Sequence, residues 1–242
     1  MDNFRVVPLC DRQLRDINPT DVLNGGLYRK CSVYKGGGGY DRFPYICESR
    51  LGYQYGAQFV VQVYGCPLKC PYCYVTPDGV HGEYVNVSTD KLLVDFESSG
   101  QDVFHLMGGA PAIYMDLWAG IIDNLRDGVV FHSDLLLVEG EYDVGTLTRI
   151  AKPNALYAVS IKGIGEGFKR NTGVDMDEKM GEMFWGNLWA VVECGLNFYF
   201  TFTGMSAEEI ADFKRLCLEF GYDGSIFKDS FPIQIINYEA LK

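Results

Sequence analysis

The stretch GCPLKCPYCYVT, Gly65 to Thr76, places three of the chain's eight cysteines within eight residues. Cys66, Cys70 and Cys73 follow one another in a C-x₃-C-x₂-C spacing, so a single tight loop can direct three thiolates at one centre. An apolar run, QFVVQVYG at 58–65, leads directly into the loop and is typical of a buried β-strand. The arrangement therefore predicts a metal centre held at the end of a strand.

The composition limits the function classes. The chain has 242 residues, of which 48% are apolar and 22% charged, which fits one α/β domain or a small pair. A net charge of −11 repels phosphate backbones, so we expect no broad nucleic-acid face. The polar start and the lack of a run of about 18 apolar residues predict no membrane span and a cytoplasmic location. In that compartment clustered cysteines indicate metal ligands or catalytic thiols rather than disulfides.

Three thiolates leave two kinds of metal centre to consider. A closed zinc site takes four ligands, but His81 lies in no recognised ligand spacing and His105 lies within a predicted strand. A [4Fe–4S] cluster normally takes four thiolates, so with three of them one iron keeps an open position. An open position on a metal serves a substrate or a cofactor.

The rest of the chain alternates between short apolar runs and helical patterns. This alternation across 58–238 predicts a parallel sheet, either a partial barrel or a doubly wound sheet, with chemistry beyond the carboxyl ends of the strands. The predicted strands are 58–65, 102–109, 134–140, 155–163, 197–204 and 232–238. The predicted helical segments are 88–100, 115–128, 143–151, 177–195 and 206–221, the last opened by a capping box from Ser206 to Glu209.

Polar and glycine residues follow each predicted strand. MGGAP, 107–111, follows the second strand and EGEYD, 139–143, follows the third. The fourth ends in SIKG, 160–163, and the fifth in TFTGM, 201–205. Because parallel strands share one carboxyl edge, we expect these residues to gather on the same rim as the cysteine loop.

The cysteine loop after the first strand and a GG-x-P segment after the second resemble the radical S-adenosylmethionine (radical SAM) enzymes. The resemblance covers about 58–238, and the compact size is similar to the activating-enzyme branch. It implies a partial (β/α)₆ barrel over residues 58–242, preceded by an N-terminal extension, 1–57, whose sequence looks irregular.

The resemblance also implies roles for individual residues. Cys66, Cys70 and Cys73 would ligate three irons of a [4Fe–4S] cluster, and S-adenosylmethionine would chelate the fourth. Tyr72 would lie near adenine, and the backbone of Gly108, Gly109 and Pro111 would bind the methionyl ammonium. Glu139, in preference to Glu141, would bind the ribose. Ser160 and Lys162 would lie near the cofactor carboxylate. Ala110 stands where the family motif commonly has Glu, which removes a carboxylate that usually supports the loop.

The implied activity is reductive cleavage of S-adenosylmethionine to a 5′-deoxyadenosyl radical that abstracts hydrogen from a substrate. The implied partners are a one-electron donor of the flavodoxin or ferredoxin type and a substrate that is a small molecule, a peptide or a partner enzyme. Two alternatives stay open: an activase for a glycyl-radical enzyme, and a non-catalytic metal-binding module. A second cluster built from Cys10, Cys31 and Cys47 is also left open.

Overall fold

The computed structural model describes residues 3–32, 43–52, 57–73, 75, 80–233 and 235. The strands are β1 Phe4–Val6, β2 Val22–Leu23, β3 Tyr28–Ser32, β4 Ala57–Val63, β5 Val85–Val87, β6 Val103–Gly108, β7 Val130–Leu135, β8 Ala155–Ile161, β9 Phe198–Thr203 and β10 Phe231–Ile233. The α-helices are α1 Asp11–Asp16, α2 Phe43–Leu51, α3 Thr89–Ser99, α4 Trp118–Ile122, α5 Val144–Ile150, α6 Glu166–Thr172, α7 Glu178–Glu193 and α8 Ala207–Glu219. Shorter 3₁₀ helices include Pro111–Leu117 and Gly224–Phe227.

Six of the strands form the parallel sheet that the alternating pattern predicts. The order β4-β6-β7-β8-β9-β10 runs through parallel pairings, and each connection from β4 to β9 carries at least one helix. The predicted fold class, an α/β partial barrel, is confirmed. Because the strands are parallel, β4, β6, β7 and β8 all deliver their following loops to one edge.

The two faces of the sheet have different coverings. One face packs against the helices, with side chains such as Phe104 and Phe131 in the main apolar core together with Phe96 of α3 and Trp118 of α4. The other, which we call the inner face, is covered near the amino ends of the strands by α2, where Phe43, Ile46 and Cys47 pack on Val103, Val130 and Leu156. This packing closes the lower part of the inner face and leaves the carboxyl end for ligands.

The N-terminal extension differs from the irregular segment expected. Strand β3 pairs antiparallel with β4 from Ser32 to Tyr28, and β1 pairs with both β4 and β5, so the extension prolongs the sheet. Helix α1 buries Gln13, whose amide is hydrogen-bonded to Gln62 of β4 at 2.6 Å. The Gly- and Tyr-rich composition concealed these strands because they are short and their partners lie far along the sequence. The division of the chain at residue 57 stays a prediction.

The third parallel strand was predicted at the wrong place. It spans Val130–Leu135 and not 134–140. Its centre reads His132-Ser133-Asp134, and these polar residues hide the strand from a hydrophobic pattern. The apolar run after it forms a loop in which Leu137 has φ +65. That loop is buried in the core of the helix-covered face, which explains why it looks like a strand in the sequence.

The helical predictions hold except for the second. Segment 115–128 starts in the last turn of the 3₁₀ helix Pro111–Leu117, continues as one short α-helix over Trp118–Ile122 and ends without regular helix over 123–128. The other predicted segments form helices, and Ser88, Asp143, Asp177 and Ser206 cap them through their side chains. The capping box from Ser206 to Glu209 is present. Within the described residues, no helix has the length and apolar character needed to cross a bilayer.

Candidate functional site

The cysteine loop begins where β4 ends. Gly65 adopts φ +94, a conformation that suits glycine, and turns the chain out of the strand. Leu68 is buried in the core and anchors the middle of the loop. The Lys69 amide donates to the carbonyl of Thr172 on α6 at 2.8 Å, so the loop is tied to a second element.

The three cysteines of the loop are half-buried and take part in no disulfide. The Cys73 amide donates to the carbonyl of Cys70 at 3.1 Å, which makes a tight turn between the last two thiols. The Cys73 thiol donates to the carbonyl of Val75 at 2.7 Å. Three sulfur donors on one short loop suit an iron–sulfur cluster, whose cysteine ligands each bind a different iron.

Burial makes the Cys66 thiol hard to ionise. Desolvation raises its pKa to about 12, the Leu68 amide lowers it, and the neighbouring Cys70 and Glu139 raise it further. A bound cation reverses this effect because metal coordination deprotonates a thiol outright. Over the described ranges, no three His, Cys, Asp or Glu side chains are placed to hold a single metal ion.

The glycines after β6 are required by strand packing. A Cβ on Gly109 would collide with the carbonyl oxygens of Gly65 and Val63, approaching the latter to 2.5 Å. Gly108 has φ +104, and a Cβ there would lie 2.8 Å from the Cβ of Gln62. The Ala110 amide donates to the Gly65 carbonyl at 2.7 Å. The GG-x-P segment is therefore locked directly against the start of the cysteine loop, with Pro111 opening the 3₁₀ helix that follows.

Tyr72 and Lys162 meet between the cysteine loop and the end of β8. The Lys162 ammonium lies 5.6 Å from the centre of the Tyr72 ring, within the range of a cation–π contact. The Tyr72 hydroxyl is buried without a partner that satisfies hydrogen-bond geometry, and burial together with the adjacent Cys70 raises its pKa. An orphaned buried hydroxyl beside the three thiols is consistent with a ligand that completes this region.

Glu139 is held by the loop that follows β7. Its Oε1 accepts from the Leu136 amide at 3.0 Å and from the Tyr142 hydroxyl at 2.7 Å, while its Oε2 is buried without a hydrogen bond. Burial raises its pKa to about 7, and the Leu136, Tyr142 and Ala112 donors lower it. Glu141 is exposed, whereas Glu139 is half-buried.

Asn187 of α7 fixes this loop in its conformation. Its side-chain amide donates to the carbonyls of Leu137 at 2.9 Å and Gly140 at 2.7 Å and accepts from the Tyr142 amide at 2.8 Å. An adjoining cavity of about 260 Å³ is lined by Ala112, Asp116, Glu139, Tyr142 and Thr146, among others. The cavity therefore lies between the GG-x-P segment and the loop that carries Glu139.

The inner face carries a polar tier near the carboxyl ends of β7, β8 and β9. Ser160 pairs in register with Thr201, and their hydroxyl oxygens are 3.1 Å apart. Asp134 lies on the same face, opposite Ala158 of β8. Burial raises the pKa of Asp134 to about 6, and the charge of Lys162 lowers it.

The structure thus brings together residues that the sequence places far apart. The charge of Glu139 acts on Cys66, the Lys162 ammonium contacts the Tyr72 ring, and Ser160 lies on the inner face below them. The sequence analysis missed Asp134 because the third strand was misplaced. With the strand at 130–135, alternation of side chains puts residue 134 on the inner face beside His132.

The remaining cysteines lie outside this site. Cys47 is buried in the apolar cluster under α2, where burial raises the pKa of its thiol. Cys10 lies at the start of α1 and Cys31 on β3, each half-buried. Within the ranges that the structure covers, Cys10, Cys31 and Cys47 do not form a group placed to hold a metal ion.

Solved structures of anSMEcpe, a radical SAM enzyme, share the fold of this chain. One, with bound AdoMet, is 14% identical with a TM-score of 0.52 and covers 72% of this chain and 48% of its own. Another, with bound AdoMet and Cp18Cys peptide, is 15% identical with a TM-score of 0.54 and covers 74% of this chain and 51% of its own. The chain therefore spans about half the length of these structures. No protein-family model and no curated protein matches the sequence.

Proposed function

We propose that this chain is a radical SAM enzyme. The observation that carries the proposal is the position of the three-thiol loop. It leaves the first of six parallel strands at the edge where Lys162, Glu139 and the GG-x-P segment also lie. The fold shared with anSMEcpe, whose structures contain AdoMet, supports the same conclusion.

The residues that would hold the cluster and cofactor follow from this arrangement. Cys66, Cys70 and Cys73 would bind three irons of a [4Fe–4S] cluster as thiolates. The backbone of Gly108, Gly109 and Pro111 would receive the ammonium group of S-adenosylmethionine. Lys162 would provide a positive charge for the cofactor carboxylate, since an ammonium is a compact charge on a flexible stem.

The remaining predicted contacts concern the nucleoside part of the cofactor. The Tyr72 ring, which contacts the Lys162 ammonium, would pack near adenine. Glu139 would accept from a ribose hydroxyl through Oε2, the oxygen that its own loop leaves without a hydrogen bond. Ser160 would lie under the cofactor carboxylate on the inner face.

When bound, the cluster and S-adenosylmethionine supply a 5′-deoxyadenosyl radical that abstracts a hydrogen atom from the substrate. The chain's own task is to position that hydrogen and to exclude water. The apolar packing of α2 closes the lower inner face, and the buried loop from Leu136 to Val138 seals the side next to Glu139. Substrate access is then confined to the carboxyl end of the barrel.

For the substrate and the redox partner, we propose only a chemical class. The anSMEcpe structure with bound peptide supports a peptide substrate for this chain as well. A small molecule or a partner enzyme, as for a glycyl-radical activase, is the alternative. An external one-electron donor of the flavodoxin or ferredoxin type would reduce the cluster.

The decisive experiment reconstitutes the protein anaerobically with iron and sulfide and adds dithionite and S-adenosylmethionine. We expect about four irons per chain and release of 5′-deoxyadenosine. Cys70→Ala should abolish the product, whereas the matched control Cys194→Ala, outside the loop, should retain it. Iron binding without 5′-deoxyadenosine under several reductants would contradict the proposal, and tetrahedral zinc in the purified protein would favour a metal-binding module.

A further inference from the structure

Asp134 is a carboxylate on the inner face that the proposed cofactor contacts do not use. It is the penultimate residue of β7, and its register partner Ala158 belongs to the apolar cluster of the inner face. Its side chain is half-buried. Asp134 therefore faces the interior of the barrel, one residue before the strand ends.

The Asp134 carboxylate has no hydrogen-bond or ion-pair partner within the described part of the chain. Among the residues that the structure describes, no group donates a hydrogen bond to Asp134 and no cation lies within 4.0 Å of its oxygens. Lys162 is near enough for its charge to act on Asp134, but its ammonium is placed over the Tyr72 ring. Asp134 and the Lys162 ammonium are therefore separated by a gap, and Glu139 is a second carboxyl near enough for the charge of Asp134 to raise its pKa.

The surroundings of Asp134 are those of a binding site rather than of a solvated surface. On the next strands, Ser160 and Thr201 offer a pair of hydroxyls that are satisfied mainly by each other. On the other side, the buried Met107 of β6 accepts a hydrogen bond at its sulfur from the Arg29 guanidinium at 3.4 Å, and Gln62 is already paired with Gln13. The tier therefore holds a carboxylate without a hydrogen-bond donor among the described residues, while the cations described nearby, Arg29 and Lys162, contact Met107 and Tyr72 instead.

The energetics favour a cationic ligand at this position. Desolvating a carboxylate without donors is costly, and a neutral hydroxyl donor recovers only part of that cost. A charged donor such as an ammonium or a guanidinium forms a shorter and stronger hydrogen bond and also neutralises the charge. The chain's net charge of −11 attracts cations over a longer range.

From this placement we infer that Asp134 is a specificity-determining residue that binds an ammonium or guanidinium group of the substrate. For a peptide substrate, that group is a lysine or arginine side chain. The inference rests on the proposed function, because it assigns to a substrate the inner space next to the cofactor. Lys162, at the opposite side of the gap, is then left for the cofactor carboxylate.

The test measures binding of small probes to the reconstituted protein with S-adenosylmethionine present. The probes are Nα-acetyl-lysinamide and Nα-acetyl-argininamide, compared with the neutral and similarly shaped Nα-acetyl-norleucinamide. Wild-type protein should bind the cationic probes about tenfold more tightly than the neutral one, as a charged hydrogen bond implies. Asp134→Asn should remove the preference, and Asp134→Glu should keep part of it.

Two controls separate this role from others. Iron content and S-adenosylmethionine affinity of Asp134→Asn should stay within about twofold of wild type, whereas a clear loss of cofactor affinity would show that the carboxylate serves the cofactor and would overturn the inference. Lys162→Ala should keep the preference for cationic probes. If it removes the preference, Asp134 acts only with Lys162 and the inference is wrong.

Failure of the inference is distinguishable from failure of the proposed function. Equal binding of the three probes by a wild-type protein that releases 5′-deoxyadenosine would refute the role of Asp134 alone. A preference for the cationic probes in a protein that releases none would leave the cation site standing and refute the radical chemistry.

Discussion

The side-chain amide of Asn171 donates to the carbonyl oxygen of Lys162 at 2.9 Å. The same amide nitrogen lies 3.1 Å from the Gly204 carbonyl and 3.3 Å from the Thr203 carbonyl, so one buried residue of α6 ties together the ends of β8 and β9. Lys162 is the residue whose ammonium contacts the Tyr72 ring. The position of that ammonium near the cysteine loop therefore depends on a residue that contacts no predicted ligand.

Replacement of Asn171 by Ala should destabilise the protein by about 1–3 kcal/mol, because buried carbonyls lose their donor. Equilibrium unfolding in urea measures the change. Asn124→Ala is the matched control, since the Asn124 amide also donates to a carbonyl, that of Gly120 at 2.8 Å, but at an exposed position. We expect Asn124→Ala to change the free energy of unfolding by no more than about 0.5 kcal/mol. Equal effects of the two variants would contradict the bracing role of Asn171.

Gly109→Ala should destabilise the fold because the added Cβ meets the backbone of β4 and of the cysteine loop. Val63 is paired with Gly108 of β6, and the Gly65 carbonyl accepts from the Ala110 amide, so neither carbonyl can move without losing a contact. We therefore expect a loss of about 1–3 kcal/mol in the free energy of unfolding. The comparison is Gly186→Ala on α7, where a Cβ meets nothing within 4 Å. That change should stabilise the protein by about 0.5–1 kcal/mol, because alanine favours a helix interior. If Gly109→Ala leaves the free energy of unfolding unchanged, the GG-x-P segment is not locked against the start of the cysteine loop.

The buried histidine pair of the inner face should make stability depend on pH. Burial lowers the pKa of His132 from 6.5 to about 3, and its ring contacts His105 with centroids 4.2 Å apart. Below pH 6.5 the unfolded chain takes up a proton at His132 that the folded chain does not, so folding loses stability as the pH falls. His132→Gln removes this contribution but keeps a group that can hydrogen-bond to Tyr199.

Urea denaturation of wild type and His132→Gln at several pH values between about 7.5 and 4.5 tests this effect. The stability of wild type relative to the variant should fall by about 1.4 kcal/mol for each pH unit below the unfolded pKa. The carboxyls with raised pKa, Asp134 and Glu139, are present in both proteins, so the difference reports His132 together with its effect on the pKa of His105, which burial and then His132 lower. A difference that does not change with pH would show that folded His132 accepts a proton readily.

Lys162→Ala should weaken binding of S-adenosylmethionine to the reconstituted protein by about tenfold while leaving the iron content unchanged, because the residue would contact the cofactor and not the cluster. Equilibrium dialysis and iron analysis report the two quantities separately. Lys152→Ala is the control, since Lys152 forms a surface ion pair with Asp123 at 2.9 Å and should affect neither. Loss of iron from Lys162→Ala would show that the lysine supports the cysteine loop instead, through its contact with Tyr72.

Much of the fold was accessible from the sequence because local signals agreed with the tertiary arrangement. Short apolar runs ending near glycine marked β4, β6, β8 and β9, and side-chain caps marked the helix starts. The third strand was predicted at the wrong place because His132, Ser133 and Asp134 interrupt its apolar pattern. All three are buried or half-buried and face other strands or the interior, which no sequence window can reveal.

The N-terminal extension shows the same limit in another form. Strand β3 is stabilised by pairing with β4, 25 or more residues further along, as in the pair Ser32 with Ala57. Strand formation depends on the partner and the face that it covers more than on local preference. A segment with ordinary loop composition therefore becomes part of the sheet once its partner is in place.

The sequence by itself determined the three-thiol loop, the strand–helix alternation and the glycines after β6, because these depend on spacing and on backbone conformations that residue types dictate. The tertiary structure alone decided which polar groups share one space. It left Glu139 half-buried and Glu141 exposed, placed Lys162 over Tyr72 and put Asp134 on the inner face without a hydrogen-bond partner among the residues described. These relationships depend on strand register and on burial, which bring together residues up to 90 positions apart, from Tyr72 to Lys162. The contacts between these groups exist only in the folded chain.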